Sequence, residues 1–97
     1  MSPETRILKI IRRHTHELNA YGVKKVGLFG SFARSGWDAD SDIDVLVEFD
    51  RGSKTFDNYM DLKFFLEKLF HRKVDLVTKD ALKTRIKRRI LAEVKYA

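Results

Sequence analysis

The sequence predicts one α/β domain over residues 1–97, because short apolar runs alternate with longer stretches of helical periodicity. A chain of 97 residues has room for a single domain and little beyond it. The predicted order is helix, strand, strand, helix, strand and helix, with a short extra helix between the first two strands. No repeat or linker divides the sequence, so we expect one folded unit.

The three longer helices are predicted by apolar residues that recur every three or four positions. The first begins after the capping hydroxyl of Ser2 and ends at Tyr21-Gly22, where glycine can adopt a left-handed conformation. The last is predicted to begin at a capping Thr78. The apolar stripes of the three helices are Ile7, Leu8, Ile11 and Leu18; Phe56, Tyr59, Leu62, Phe65, Leu66 and Leu69; and Leu82, Ile86, Ile90 and Val94.

The strands are predicted at residues 26–29, 43–49 and 74–77, which are short and rich in branched or aromatic side chains. Residues 30–34 are predicted to open the short helix, residues 35–40 to form a loop, and residues 50–53 to form a turn.

The composition narrows the classes of function. A net charge of +6 and a pI of about 9.7 suit anionic partners, including nucleotides, nucleic acid and acidic proteins. With no cysteine, the chain has no disulfide, thiolate metal site or thiol nucleophile. No apolar run reaches the roughly 18–20 residues of a membrane span, and the first residues lack the layout of a signal peptide. We therefore expect a cytoplasmic protein.

Two carboxylates begin the second predicted strand. Asp42 and Asp44 are two residues apart, so their side chains point to the same face of a strand. Their mutual repulsion is relieved by a divalent cation, and hard oxygen ligands suit Mg²⁺. A pair of this kind alone is also typical of a solvated strand start.

Two further features lie on either side of this pair. Gly30-Ser31 follows the first strand, and a glycine bend before a helix favours bound phosphate. Arg34 follows this bend and is predicted to reach the same phosphate; a surface arginine without such a role is the alternative. Asp75 interrupts an otherwise apolar strand and is expected to be buried, which requires a cation nearby. Three acids could hold two metal ions; pairing with a neighbouring basic residue is the alternative for Asp75, and Glu48 is a competing third acid.

The segment from Gly30-Ser31 to Asp42-Ile43-Asp44 resembles the signature of the polymerase-beta-like nucleotidyltransferase superfamily. Nearly the whole chain, including residues 72–77, is similar to its smallest members, the MNT (minimal nucleotidyltransferase) proteins. The resemblance implies a nucleotidyltransferase fold, with helices packed on a small mixed β-sheet. It also implies that Asp42, Asp44 and Asp75 are the catalytic metal ligands and that Gly30 and Ser31 contact the triphosphate.

The resemblance further implies a partner. MNT proteins are commonly encoded beside a HEPN-domain toxin of RNase type, and several act as antitoxins. The implied reaction is Mg²⁺-dependent transfer of AMP from ATP to a tyrosine of that toxin, with release of pyrophosphate. Nucleic acid is not required as a partner. Two alternatives stay open: transfer to a small molecule or to RNA, and an antitoxin that masks its toxin by binding alone.

Overall fold

The computed structural model describes residues 2–30 and 42–97, which form a four-stranded mixed sheet with helices on both faces. The helices are α1 (Pro3–Arg13), α2 (Thr15–Ala20), α3 (Phe56–Phe70) and α4 (Thr84–Glu93), with a 3₁₀ turn at Lys79–Ala81. The strands are β1 (Val23–Phe29), β2 (Ile43–Phe49), β3 (Val74–Thr78) and β4 (Lys95–Tyr96). The α/β class and the mixed sheet are therefore confirmed.

The sheet has the strand order β3-β2-β1-β4. β1 is antiparallel to both β2 and β4, whereas β2 and β3 are parallel and are joined through α3. Parallel neighbours require such a crossover connection, and a helix commonly provides it. This topology brings the end of β1 and the starts of β2 and β3 to the same edge of the sheet.

One face of the sheet carries the main core. Helices α1, α2 and α3 pack against it, and alternate residues of β2, namely Ile43, Val45 and Val47, are fully buried there. The opposite face, which we call the α4 face, holds a smaller cluster of Phe29, Leu46 and Ile90. Alternation along β2 therefore directs Asp44, between Ile43 and Val45, toward the α4 face.

Several predicted boundaries are wrong, most clearly in the first helix. It is interrupted at His14, whose backbone N–H donates to the carbonyl of Ile11 instead of that of Ile10. The Thr15 hydroxyl donates to the carbonyl of Arg12 at 2.8 Å, and such local bonds compete with regular helix formation. The chain consequently forms two helices, α1 and α2, where the apolar spacing predicts one.

The C-terminal part also differs from the prediction. Thr78 is the buried last residue of β3 and caps no helix; α4 begins at Thr84 after Lys83, which contributes no capping side chain. The sequence does not predict β4, because two exposed residues carry no periodic signal. None of the helices in the described ranges is both long and apolar enough to cross a membrane.

Candidate nucleotide-binding site

Two of the predicted acids are neighbours on adjacent strands. Asp44 of β2 is the register partner of Asp75 of β3 in the parallel pair. Strands pair at about 4.8 Å, and paired residues present their side chains to the same face. Asp42 directly precedes β2 and is exposed. The structure thus places the three acids at the same edge of the sheet, although Asp42 and Asp75 are 33 residues apart in the sequence.

The expected burial of Asp75 is wrong, because its side chain is exposed. β3 is an outer strand of the sheet, and β2 is its only strand partner in the described part of the chain. The argument that a buried carboxylate needs a cation therefore does not apply to Asp75. Its position beside Asp44 rests on strand register alone.

The glycine of the predicted bend lies against Asp44. Phe29 is the register partner of Asp44, so Gly30 follows directly after this pair. Gly30 has a φ of +68°, and a Cβ built on it would overlap Oδ2 of Asp44 and lie 2.9 Å from its Cγ. Only a residue without a Cβ satisfies both the left-handed conformation and this contact. Gly30, the described residue of the predicted bend, therefore lies against Asp44.

Glu48, the competing third acid, lies at the other end of β2. It lies four positions after Asp44, about 13 Å along a strand. Its Oε1 is 3.5 Å from the Nζ of Lys79, which lies in the 3₁₀ turn after β3. Glu48 is therefore paired with a lysine and remote from Asp44, whereas Asp75 is adjacent to Asp44.

Two glutamates outside the predicted set of site residues anchor this edge of the sheet. Glu93 Oε1 accepts the backbone N–H of Gly30 at 3.1 Å. Glu67 Oε2 accepts the N–H of Val74, the residue before Asp75, at 3.0 Å. Glu93 is separated from Gly30 by 63 residues, so no local pattern reports the contact. The sequence offers one weak signal for a role of Glu93. It is an acid at the C-terminus of a helix, where the helix dipole disfavours negative charge.

Ser31 and Arg34, the other predicted nucleotide-binding residues, lie outside the described residues. The short helix and loop predicted after Gly30 fall in the same range. Their placement at the site therefore remains a prediction.

The donor chemistry at this edge fits a divalent cation. Asp44 and Asp75 offer hard oxygen ligands from adjacent strands, and the absent Cβ of Gly30 leaves the Asp44 carboxylate in close contact with the bend. In residues 2–30 and 42–97, no three His, Asp or Glu side chains form a ready metal-binding group. The backbone thus brings the carboxylates near one another, while exposed Asp42 and Asp75 have side chains that packing does not fix.

Comparison with known proteins identifies the family. The family model of the nucleotidyltransferase domain matches residues 7–97. Protein adenylyltransferase MntA of Thermococcus cleftensis is 38% identical over 91 residues, which cover 93% of this chain and 91% of that protein. A solved structure of a candidate minimal nucleotidyltransferase has a TM-score of 0.78 at 33% identity, covering 98% of this chain and 95% of the other.

A third similarity is to a complex. It consists of a tri-AMPylated HEPN toxin from Shewanella oneidensis bound to an MNT antitoxin. The matching chain has a TM-score of 0.60 at 22% identity, with 96% of this chain and 66% of that chain covered. At this identity the likeness shows the fold alone.

The mixed four-stranded sheet and the match to the family model place the chain in the class of nucleotidyltransferases. The chain belongs to the nucleotidyltransferase domain family, among its minimal members, and is an enzyme of that class.

Proposed function

We propose that this protein is an antitoxin that transfers AMP from ATP to a tyrosine of a cognate HEPN-domain toxin, releasing pyrophosphate. The reaction would take place in the cytoplasm, where ATP is available. The relative from Thermococcus cleftensis is named a protein adenylyltransferase, and the Shewanella oneidensis complex pairs an MNT antitoxin with an AMP-carrying toxin. The first name supports a protein acceptor and the second a HEPN toxin as that acceptor, while the chain itself supports the chemistry.

One observation carries the proposal: Gly30 packs against Asp44, and Asp44 is paired in register with Asp75. Gly30 and two carboxylates are thereby brought to one edge of the sheet by three different strands. Adjacent carboxylates repel each other, so their combination with a left-handed glycine is not expected in an unrelated α/β domain.

In this proposal, Asp42, Asp44 and Asp75 would hold two Mg²⁺ ions, while Gly30-Ser31 and Arg34 would hold the triphosphate. Bound Mg²⁺ would favour ionisation of the attacking hydroxyl and neutralise charge on the departing pyrophosphate. The tyrosine oxygen forms a bond to the α-phosphorus, whose bond to the bridging oxygen breaks. Pyrophosphate leaves with that electron pair, and the hydroxyl proton passes to solvent. The protein's contribution is to orient the α-phosphorus toward the acceptor.

Incubation with ATP, Mg²⁺ and the HEPN toxin encoded beside this protein tests the proposal. We expect the toxin's mass to increase by one or more AMP units, located on tyrosine by fragmentation. The double variant Asp42→Asn and Asp44→Asn should abolish transfer while the protein stays folded. Glu48→Gln is the matched control, since it removes an acid from the same strand but leaves the acidic edge intact.

The same variants separate catalysis from masking. If the double asparagine variant protects cells from the toxin as well as the wild type does, binding alone suffices and the catalytic proposal is wrong. If no AMP reaches the toxin from the wild-type protein under any of the metal and pH conditions tried, the protein acceptor is wrong.

RNA is the second candidate acceptor, favoured by the charge of the segment at residues 83–89. This segment holds five of the 20 Lys and Arg residues and none of the 14 Asp and Glu residues, so it accounts for most of the net charge of +6. Four of the five basic residues are exposed: Lys83, Arg85, Arg88 and Arg89. Such a stripe suits phosphates, and transfer of labelled AMP to RNA but not to the toxin would favour this acceptor.

A further inference from the structure

The backbone N–H of Gly30 does not point to open solvent. It donates to Oε1 of Glu93, the last residue of α4, at 3.1 Å. Glu93 is the only acid in a helix that otherwise carries Arg85, Lys87, Arg88 and Arg89. This carboxylate therefore reaches the site from the opposite end of the chain, and the proposed reaction gives it no role.

Strand register explains why Glu93 meets Gly30. β4 pairs antiparallel with β1, with Tyr96 opposite Gly27 and Lys95 opposite Leu28. Extending that register places Glu93 opposite Gly30, although the chain is already helical there. The Glu93 side chain thus supplies the acceptor that a longer β4 would supply from its backbone. Accordingly, the Gly30 amide faces the β4 side of β1, and Asp44 lies on the β2 side.

The approach of this C-terminal segment depends on Gly27. A Cβ built on Gly27 would lie 2.8 Å from Cγ2 of Val94 and 2.9 Å from the carbonyl oxygen of Lys95. The absence of a side chain at Gly27 therefore lets Val94 and Lys95 pack directly on β1. Glu93 is carried into reach of Gly30 by this close packing.

An anchor at Gly30 has a consequence for Asp44. Glycine populates several backbone conformations at similar energy, so Gly30 needs an external contact to select one. The Glu93 bond selects the conformation with φ +68°, in which the Gly30 Cα packs against the Asp44 carboxylate. A hydrogen bond with a charged acceptor is stronger than a neutral one. Loss of the bond would free both the bend and the carboxylate packed on it.

We infer that Glu93 is a positioning residue, which fixes the Gly30 bend against Asp44 so that the bend is preorganised for the nucleotide triphosphate. The inference rests on the proposed nucleotide site but not on the identity of the acceptor. Under this inference, α4 and β4 do more than cover the sheet, because together they position the Glu93 carboxylate as a hydrogen-bond acceptor at the site.

The test measures equilibrium binding of an ATP analogue with a methylene bridge between the α- and β-phosphates, in the presence of Mg²⁺ and without any acceptor. Glu93→Ala should weaken binding roughly 10–100-fold, which is the typical loss when a residue that orients a metal ligand is removed. Glu93→Asp should weaken it similarly, since the shorter side chain does not reach Gly30. Glu93→Gln should lose less affinity than either of these variants, because its amide oxygen still accepts the N–H, although a neutral acceptor forms a weaker bond than the carboxylate does.

Glu4→Ala is the matched control. Glu4 Oε1 accepts from the Nζ of Lys95 at 2.6 Å, so it holds the same C-terminal segment to α1 without contacting Gly30. Its loss should lower thermal stability but leave nucleotide affinity near wild type. Equal weakening by Glu4→Ala and Glu93→Ala would show that general loosening of the segment is responsible, and would overturn the inference.

Hydrogen exchange of the Gly30 amide, measured by NMR, reports the contact itself and needs no activity. Protection should be lost in Glu93→Asp and kept in Glu93→Gln, which gives a result even if Glu93→Ala does not fold. Unchanged affinity in Glu93→Asp would overturn the inference. Tighter binding would also overturn it, because Glu93 would then occupy the place of a phosphate. A wild-type protein that binds the analogue but modifies no toxin would disprove the acceptor and leave the role of Glu93 standing.

Discussion

The two faces of the sheet differ in what they contribute: one holds the large core that stabilises the fold, and the other holds the carboxylates of the candidate site. Among the described residues, fifteen buried side chains form the core between the sheet and α1, α2 and α3, whereas three form the cluster on the α4 face. Asp44 lies on the face with the smaller cluster, between Phe29 on β1 and Asp75 on β3. The large core supplies most of the apolar burial that stabilises the fold, so the α4 face can carry adjacent like charges.

β2 shows how one strand serves both faces. Ile43, Val45 and Val47 are fully buried in the large core, while the alternate positions Asp44 and Glu48 are half-buried. Because successive side chains point to opposite faces, an acid can replace an apolar residue on one face without opening a cavity on the other. Substitutions on the two faces should therefore differ in kind, and three variants test this from the largest effect on stability to the smallest.

Leu66→Ala should have the largest effect. Leu66 of α3 is fully buried in the large core, and removing such a side chain typically costs about 2–5 kcal/mol of unfolding free energy, since the cavity collapses only in part. Urea denaturation measures the loss. At a temperature where the variant is folded, its affinity for the ATP analogue should equal that of the wild type. A weakened affinity would show that the two faces are coupled.

Gly30→Ala should destabilise the fold less but should weaken nucleotide binding. A left-handed alanine costs about 1–2 kcal/mol, and its Cβ would also displace the Asp44 carboxylate. Gly52→Ala is the control, because Gly52 has a φ of +83° and a Cβ added there would meet no atom within 4 Å. Both variants share the backbone cost, so calorimetric titration should show weaker binding for Gly30→Ala only. Equal affinities in the two variants would mean that the contact with Asp44 has no part in the site.

Some elements of the fold can be predicted from the sequence and others cannot, for physical reasons. The bounds of β2 at Ile43 and Phe49 are confirmed, because its branched and aromatic residues, with acids at the alternate positions Asp44 and Glu48, leave a strong strand pattern. The sequence does not predict the break at His14, since apolar spacing continues across it and only local hydrogen bonds interrupt the helix. The two residues of β4 are recognised by pairing with β1 rather than by composition.

The features of the candidate site also differ in whether the sequence predicts them. The Asp42 and Asp44 pair can be found from spacing within one strand, but its proximity to Asp75 depends on the register of β2 and β3. The exposure of Asp75 could not be predicted, because an edge position is a property of strand order and not of local sequence. The contact between Glu93 and Gly30 depends on how the C-terminal segment packs over Gly27, which no periodicity records.

Lys79→Ala should have the smallest effect and discriminates between the two candidates for the third acid. The Lys79 and Glu48 side chains are 30% and 19% exposed, and a pair of this kind contributes about 0.2–1 kcal/mol that salt screens. The stability difference from wild type should therefore shrink in urea denaturation at high salt, and affinity for the ATP analogue should not change. If Lys79→Ala instead altered nucleotide binding as strongly as Gly30→Ala does, Glu48 would belong to the acidic site. Asp75 would then be only its neighbour in the sheet.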